Sequence, residues 1–225
     1  MSLAEPVPLS KDDIDAAAGV LVRSFADDPG LLFVLPEAEE RSRLVPTLAR
    51  TVLHYALLCG APLVTSGDIR GAALWFPPNA PPPTAAQLEV TGISAAPGLL
   101  GPSAFGRLNR LLDHVDAFHP LHAPDPHWYL AMLGVDPIWQ RIGIGEALMG
   151  PVFAAADRDG LCCYLEAPTA SNADYYGRRG FDVIAETDIP DSDVHIWMMR
   201  RDPKTSLSRP FGDSDSANHR VGSSE

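Results

Sequence analysis

A mixed α/β fold, one sheet covered on both faces by helices, is what this sequence predicts, and two observations carry the prediction. The first is an alternation of elements over residues 128–201. Trp128–Val135 is nearly all apolar, as a strand covered on both faces must be. Gly143–Arg158 then places Ile144, Ala147, Leu148, Val152, Ala155 and Ala156 at helical spacing. Leu161–Leu165 reads as a second buried strand, and Asn172–Arg179 as a short helix stopped by Gly180. Phe181–Thr187 and Val194–Arg200 supply two more strands. The second observation is size: 225 residues, 46% apolar and 20% charged, suffice for a single domain, here residues 1–202, with a full core.

The first half adds shorter elements. Ser10, with an acid at Asp13, predicts an N-cap and a helix through about Ser24. Leu44, Leu48, Val52, Tyr55 and Ala56 recur at helical spacing within Glu39–Cys59. Pro62–Thr65 and Gly71–Phe76, separated by Ser-Gly-Asp, read as a hairpin. From Pro77 to Pro102, 10 of 26 residues are Pro or Gly, which predicts an irregular connection, either a spacer or a carrier of binding contacts. A helix over Ala104–Phe118 follows. Pro151, inside the Gly143–Arg158 helix, removes the bond to the carbonyl of Ala147 and predicts a kink or early break. The 23 residues from Pro203 include six serines and little apolar surface, and disorder is expected there.

Composition excludes several functions. A net charge of −12 lacks the basic stripe that nucleic-acid binding needs, and hints at a cationic partner. Three cysteines, two of them adjacent at Cys162 and Cys163, supply neither a disulfide framework nor spaced zinc ligands. Without a membrane-spanning run or a secretory leader, the expected place is the cytoplasm, with no membrane partner.

The most informative segment is Gln140-Arg141-Ile142-Gly143-Ile144-Gly145, between a buried strand and an amphipathic helix. Glycines permit a sharp turn and a close backbone approach. The first amides of the helix, through Glu146, point outward without internal partners, so with the helix dipole and Arg141 they can hold phosphate oxygens. The hexapeptide fits the Q/R-x-x-G-x-G/A acetyl-CoA motif of the GNAT superfamily of N-acetyltransferases. Tyr175-Tyr176-Gly177-Arg178-Arg179-Gly180-Phe181 resembles that family's Y-x-x-x-G-F ending. His127–Asp202 is most similar to puromycin N-acetyltransferase-like members, sharing W-Y-L-A-x-L-G-V-x-P before the loop, the helix proline and Leu165-Glu166; the first 126 residues match only in layout.

The resemblance implies a GNAT fold, a central, mostly antiparallel sheet with a splayed pair of parallel strands, flanked by helices. It implies acetyl-CoA as co-substrate, no metal, and a small-molecule primary amine as acceptor, acetylated directly in a ternary complex. Backbone groups of Leu133, Gly134 and Val135 would hydrogen-bond the pantetheine arm, and one amide would polarise the thioester carbonyl. Gly134 alone reads equally as a bulge, a close approach or a strand end. Tyr176 matches the tyrosine that protonates the coenzyme thiolate, though by itself it is also a packed helix aromatic. Glu166, at the carboxyl end of a strand, is the candidate base; in isolation it either caps the strand in solvent or lines the cleft. Asn172, one turn before Tyr176, is the candidate to hold the coenzyme arm.

Other constellations are weaker. His114, His119, His122 and His127 fall within 14 residues, but no Cys or H-E-x-x-H pattern accompanies them, so loop contacts or acceptor-site polarity outrank a metal. Trp75-Phe76 reads as core packing before an acceptor floor. No nucleophile elbow or third dinucleotide glycine supports a serine hydrolase or nicotinamide enzyme. The rival reading is a non-catalytic acyl-CoA-binding regulatory or interaction module. A homodimer is compatible with either.

Overall fold

The computed structural model describes residues 5–80 and 83–204. It contains seven strands, β1 (Pro6–Pro8), β2 (Leu63–Thr65), β3 (Gly71–Phe76), β4 (His127–Val135), β5 (Cys162–Ala167), β6 (Asp182–Asp188) and β7 (His195–Arg201), in one sheet of order β1-β2-β3-β4-β5-β7-β6. Every neighbouring pair is antiparallel except β4 and β5. This mixed, mostly antiparallel sheet with one parallel pair is the predicted fold class.

Seven helices cover it: α1 (Ile14–Ser24), α2 (Pro29–Val34), α3 (Ala38–Cys59), α4 (Ala85–Thr91), α5 (Ala96–His122), α6 (Ile144–Asp159) and α7 (Ala170–Gly177). Side-chain alternation sorts them by face. Ala73, Trp75, Cys163, Leu165 and Met199 point to one face and pack against Leu148, Met149 and Val152 of α6. On the opposite face Ala72 and Leu74 meet α1 and α3, while Tyr164 and Met198 meet the α5 side.

The feature that positions the site is where β4 and β5 stop pairing. Their register runs His127–Cys162, Trp128–Cys163 and Tyr129–Tyr164 and goes no further. Two residues later β4 carries a bulge: Trp75 pairs with Leu130 but Leu74 with Met132, leaving Ala131 extra. A bulge bends its strand and increases local twist, so the far half of β4 stays with β3 and leaves a wedge on its β5 side.

Several expectations need correction. The connection 77–102 is largely helical: Thr84 and Gln87 form a reciprocal capping box opening α4, and α5 begins at Ala96 rather than 104. The prolines fit because Pro97 occupies the first turn, where no amide is needed, and Gly101 (φ 73°) kinks the helix just before Pro102. Ser10 makes no cap bond to the backbone; its hydroxyl donates to the Asp13 carboxylate instead. The helix through Pro151 is not broken, since Pro151 is exposed and the freed carbonyl of Ala147 can turn to water. The C-terminal disorder expectation falls on 205–225, outside the described residues, apart from Pro203 and Lys204, of which the Lys204 amide donates to Asp157 at 2.8 Å.

Candidate active site

The loop after β4 is held from below. Asp136 accepts from the amide of Ile138 at 3.2 Å and pairs with Arg23 at 2.6 Å. Arg70 lies 4.0 Å over the ring of Trp139, and Gln140 Nε2 donates back to the carbonyl of Val135 at 3.1 Å. Beyond this anchor the chain turns through two left-handed residues, Arg141 (φ 63°) and Gly143 (φ 92°), into α6. None of the amides from Arg141 to Glu146 donates to another group of the described chain. Six N–H groups at a helix start, without partners, are a ready anion cradle.

All of these residues but Ile142 border a cleft of about 630 Å³. Leu133, Val135, Gln140, Arg141, Gly143, Ile144, Gly145, Glu146, Asn172 and Tyr176 all line it. Ile142 points outward, 53% exposed. Gly134 faces the other way. A Cβ there would stand 2.9 Å from Leu21 and 3.2 Å from Phe25 of the α1 side, so the glycine lets α1 press on β4, and the bulge lies at Ala131 instead.

Sequence reading passed over Trp139, Ser171, Tyr175, Arg178 and Arg179, which share the cleft. Tyr175 explains the second glycine of the motif, because its hydroxyl occupies the space that a Cβ at residue 145 would take. Arg179 clamps it, with the guanidinium 3.6 Å over the Tyr175 ring, donating to the Tyr175 carbonyl at 2.8 Å and reaching the Glu146 carboxylate at 3.3 Å. Glu146 therefore offers the cleft its amide while its charge is partly matched by Arg179. Thr169 caps α7 by accepting from the amide of Asn172, which leaves the Asn172 side chain to the cleft. Tyr176 packs edge-on against Phe181, and burial pushes its hydroxyl well above the ordinary tyrosine range.

Glu166 lies on the opposite face of β5. Its side chain is only 10% exposed, and burial raises the carboxyl from 4.5 to about 7. The hydroxyls of Tyr129 and Tyr164 approach it and favour the charged form, yet Glu166 Oε1 and Tyr164 Oη complete no hydrogen bond. Its nearest ring nitrogen is His119 Nδ1 of α5, at 3.7 Å. Of the clustered histidines, His119 and His127 face each other at 2.8 Å, His114 bonds Thr187 and His122 stacks on Phe118. Among the described residues no three His, Cys, Asp or Glu side chains gather as metal ligands, and no helix is long and apolar enough to cross a membrane. Trp75 is fully buried on the α6 face, whereas Phe76 sits between Tyr55 and Tyr129 on the Glu166 side. The two faces of the splay thus offer an anion cradle on one side and a buried proton acceptor on the other.

Comparison with known proteins bears on the family and the fold. Residues 104–181 match the acetyltransferase (GNAT) family model. An uncharacterized N-acetyltransferase of Schizosaccharomyces pombe is 26% identical over 175 residues, covering 75% of this chain and 70% of its own. Three solved structures superimpose over most of both chains. One, from Corynebacterium glutamicum, is described as histone acetyltransferase HPA2 and related acetyltransferase (TM-score 0.63, 23% identity, 91% of this chain and 99% of that one). The others are a polyamine N-acetyltransferase of Drosophila melanogaster (0.58, 15%, 88% and 98%) and arylalkylamine N-acetyltransferase 2 of Aedes aegypti (0.57, 15%, 89% and 99%). The chain has the GNAT fold, and its residues 104–181 match the acetyltransferase family of that name.

Proposed function

We propose that this protein transfers an acetyl group from acetyl-CoA to a primary amine of a small molecule, directly, with both substrates bound. One observation carries the reading: the wedge left where β4 and β5 separate after Tyr129–Tyr164 leads to a cleft bordered by six unpartnered amides. A pyrophosphate fits the amides of residues 141–146, with Arg141 as a charged donor. A pantetheine arm fits along the unpaired edge of β4 at Leu133–Val135. Asn172 extends its side chain toward the same channel.

Glu166 acts as the base. A carboxyl raised to about 7 is half ionised at neutral pH, where a general base combines availability with driving force. Tyr176 attends the leaving sulfur. Its raised hydroxyl keeps its proton, so it serves the thiolate foremost as a hydrogen-bond donor. The acceptor class draws support from relatives of the same fold described as acting on polyamines and arylalkylamines. The puromycin-type motifs over His127–Asp202 support an aminonucleoside as one member of the test set.

The test is thiol release from acetyl-CoA across aminoglycosides, aminonucleosides, polyamines, arylalkylamines and peptides. Turnover with at least one amine is expected, and Tyr176→Phe lowers kcat about 10²–10⁴-fold while coenzyme affinity holds. Coenzyme binding with no thiol release from any amine would favour the non-catalytic acyl-CoA module. Full turnover by Tyr176→Phe would remove Tyr176 from the chemistry.

A further inference from the structure

Glu166 sits under a second layer of polar groups that the reading above does not use. His119, 20% exposed in its side chain, is enclosed by Tyr129, Tyr164 and His127, with ring centroids at 4.7, 4.4 and 5.0 Å. Its Nε2 lies 2.8 Å from His127 Nε2, and His127 Nδ1 lies 2.7 Å from the carbonyl of Asp125. A carbonyl oxygen only accepts, so His127 carries its proton on Nδ1 and presents a bare Nε2. His119 must then donate from Nε2, which leaves its Nδ1 lone pair aimed at Glu166 Oε1, 3.7 Å away. One fixed carbonyl sets both tautomers, and the order they adopt is the one that can receive a proton from Glu166.

We infer that His119 and His127 form a proton relay that drains Glu166 to solvent at the end of the sheet opposite the coenzyme loop. The inference rests on Glu166 as the base. The acceptor ammonium gives its proton to the Glu166 carboxylate. The resulting acid O–H passes a proton to His119 Nδ1 as His119 Nε2–H passes one to His127 Nε2. His127, briefly an imidazolium, releases its Nδ1 proton to water, so one proton leaves and nothing is oxidised. Exchange with water then resets each ring, His119 giving up its Nδ1 proton and taking one on Nε2, His127 giving up its Nε2 proton and taking one on Nδ1, so no net charge moves. Transfer through His119 is concerted, because burial and the neighbouring His127 hold that ring's pKa at about 4 and disfavour a free imidazolium. The 3.7 Å gap is closed by a small side-chain shift or one water.

His127 is half-buried at this end of the sheet, beside Asp125 and Pro126. Asp125, Pro126, Cys162 and Arg200 border a cavity of 450 Å³ at the start of β4 and β5. By strand rise, that end is roughly 25 Å from Val135 and the coenzyme cleft. A path through the far end lets the base reset without crossing the coenzyme cleft. The titratable groups facing His119 are Glu166, Tyr129, Tyr164 and His127 across the gap, and Asp116 adds its charge to Glu166 from α5 itself.

Long-range ¹H–¹⁵N correlation on the full chain, without acceptor, reads the ladder directly: His119 protonated on Nε2 and His127 on Nδ1. The opposite tautomer at either ring overturns the relay. Thiol release, with the amine turned over fastest in the set above, reads its use. His119→Ala lowers kcat about 10–100-fold with KM for acetyl-CoA unchanged, and added imidazole restores part of it. His119→Gln, which keeps the packing but cannot pass a proton on, is equally slow and is read beside its melting temperature. In a Glu166→Gln background, His119→Ala costs nothing further. If Glu166→Gln is slow while His119→Ala and His119→Gln are not, the relay is wrong and the base stands. If Glu166→Gln is fast, the base assignment falls and the relay with it.

Discussion

Glu166→Gln should make the protein more stable and less active at once. The displacement of the carboxyl from 4.5 to about 7 is a cost of holding the charge in a site where the side chain is 10% exposed. Its folded value is raised above its unfolded one. Stability from this group is therefore fully present below 4.5 and is lost as pH rises through about 7. The loss amounts to about 3 kcal/mol at alkaline pH, and a neutral glutamine does not incur it. The measurement is thermal unfolding of both proteins at pH 5.0 and pH 8.5. Other titrating groups are common to the two and cancel in the difference. Part of the loss is already present at pH 5.0, leaving about 2.5 kcal/mol between the two pH values; at about 2–4 °C per kcal/mol for a chain this size, the variant should gain roughly 5–10 °C on the wild type.

Activity should move the opposite way. In the wild type kcat/KM rises with a single ionisation near pH 7, because only the carboxylate can accept a proton. The variant loses that limb and about 10²–10⁴ of the rate. If the two proteins respond to pH with parallel melting temperatures, Glu166 is not held out of water as described. If stability diverges while the rate does not, the buried carboxylate is a structural oddity and the base lies elsewhere.

Two further substitutions test the scaffold. Gly145→Val puts a side chain where the Tyr175 hydroxyl lies under the Arg179 clamp, so Tyr175 must swing into the cleft; acetyl-CoA affinity by calorimetry should fall roughly 10–100-fold with little change in melting temperature, and an unchanged Kd would mean that the cleft is not the coenzyme site. Asp157→Asn removes the partner of Arg201, which is 3% exposed and bonded to Asp157 by two contacts of 2.8 Å. Because Asp157 retains 26% exposure, the loss should be about 2–3 kcal/mol, below the ~3–5 kcal/mol of a fully buried pair, and chemical denaturation giving under 0.5 kcal/mol would reduce the contact to a surface pair.

The half of the fold after residue 127 was legible because its signals are local. An apolar run, a glycine pair and a helical stripe each specify their element without reference to the rest, and the residues with the unpartnered amides are contiguous. The 77–102 connection was misread by weighing proline number over proline position: Thr84 and Gln87 stand at capping-box spacing, and Pro97 occupies a helix start. What the sequence could not convey is the register of β4 on β5. Tyr164 and Glu166 visibly share a face two residues apart. That His127 and Tyr129 join them depends on parallel pairing fixed by helices far along the chain, and that His119 reaches them depends on the course of α5 across that face. The clustered histidines read only as loop contacts or acceptor-site polarity, ahead of a metal, because Glu166, the neighbour of His119, is 47 residues beyond it in sequence.

The charge of the chain can be understood from the same partition. A polyanionic donor and a cationic acceptor make opposite demands, and one uniform field cannot serve both. If acetyl-CoA and an amine are the substrates, as proposed, a net charge of −12 suits the acceptor and opposes the donor at long range, and the donor must be held by groups that act at contact. Unpartnered amides do this, since their partial charges fall off within a turn of the helix and are indifferent to net charge. Arg141, Arg178 and Arg179 gather at the same cleft, on the α6 and α7 face. Glu166 lies across the sheet toward α5, with Asp116 close enough to add to its local negative charge. The β-sheet between them separates the two fields, and in the proposed reaction the bulge at Ala131, by opening the wedge beside β4, would let donor and acceptor meet only where the sheet has parted.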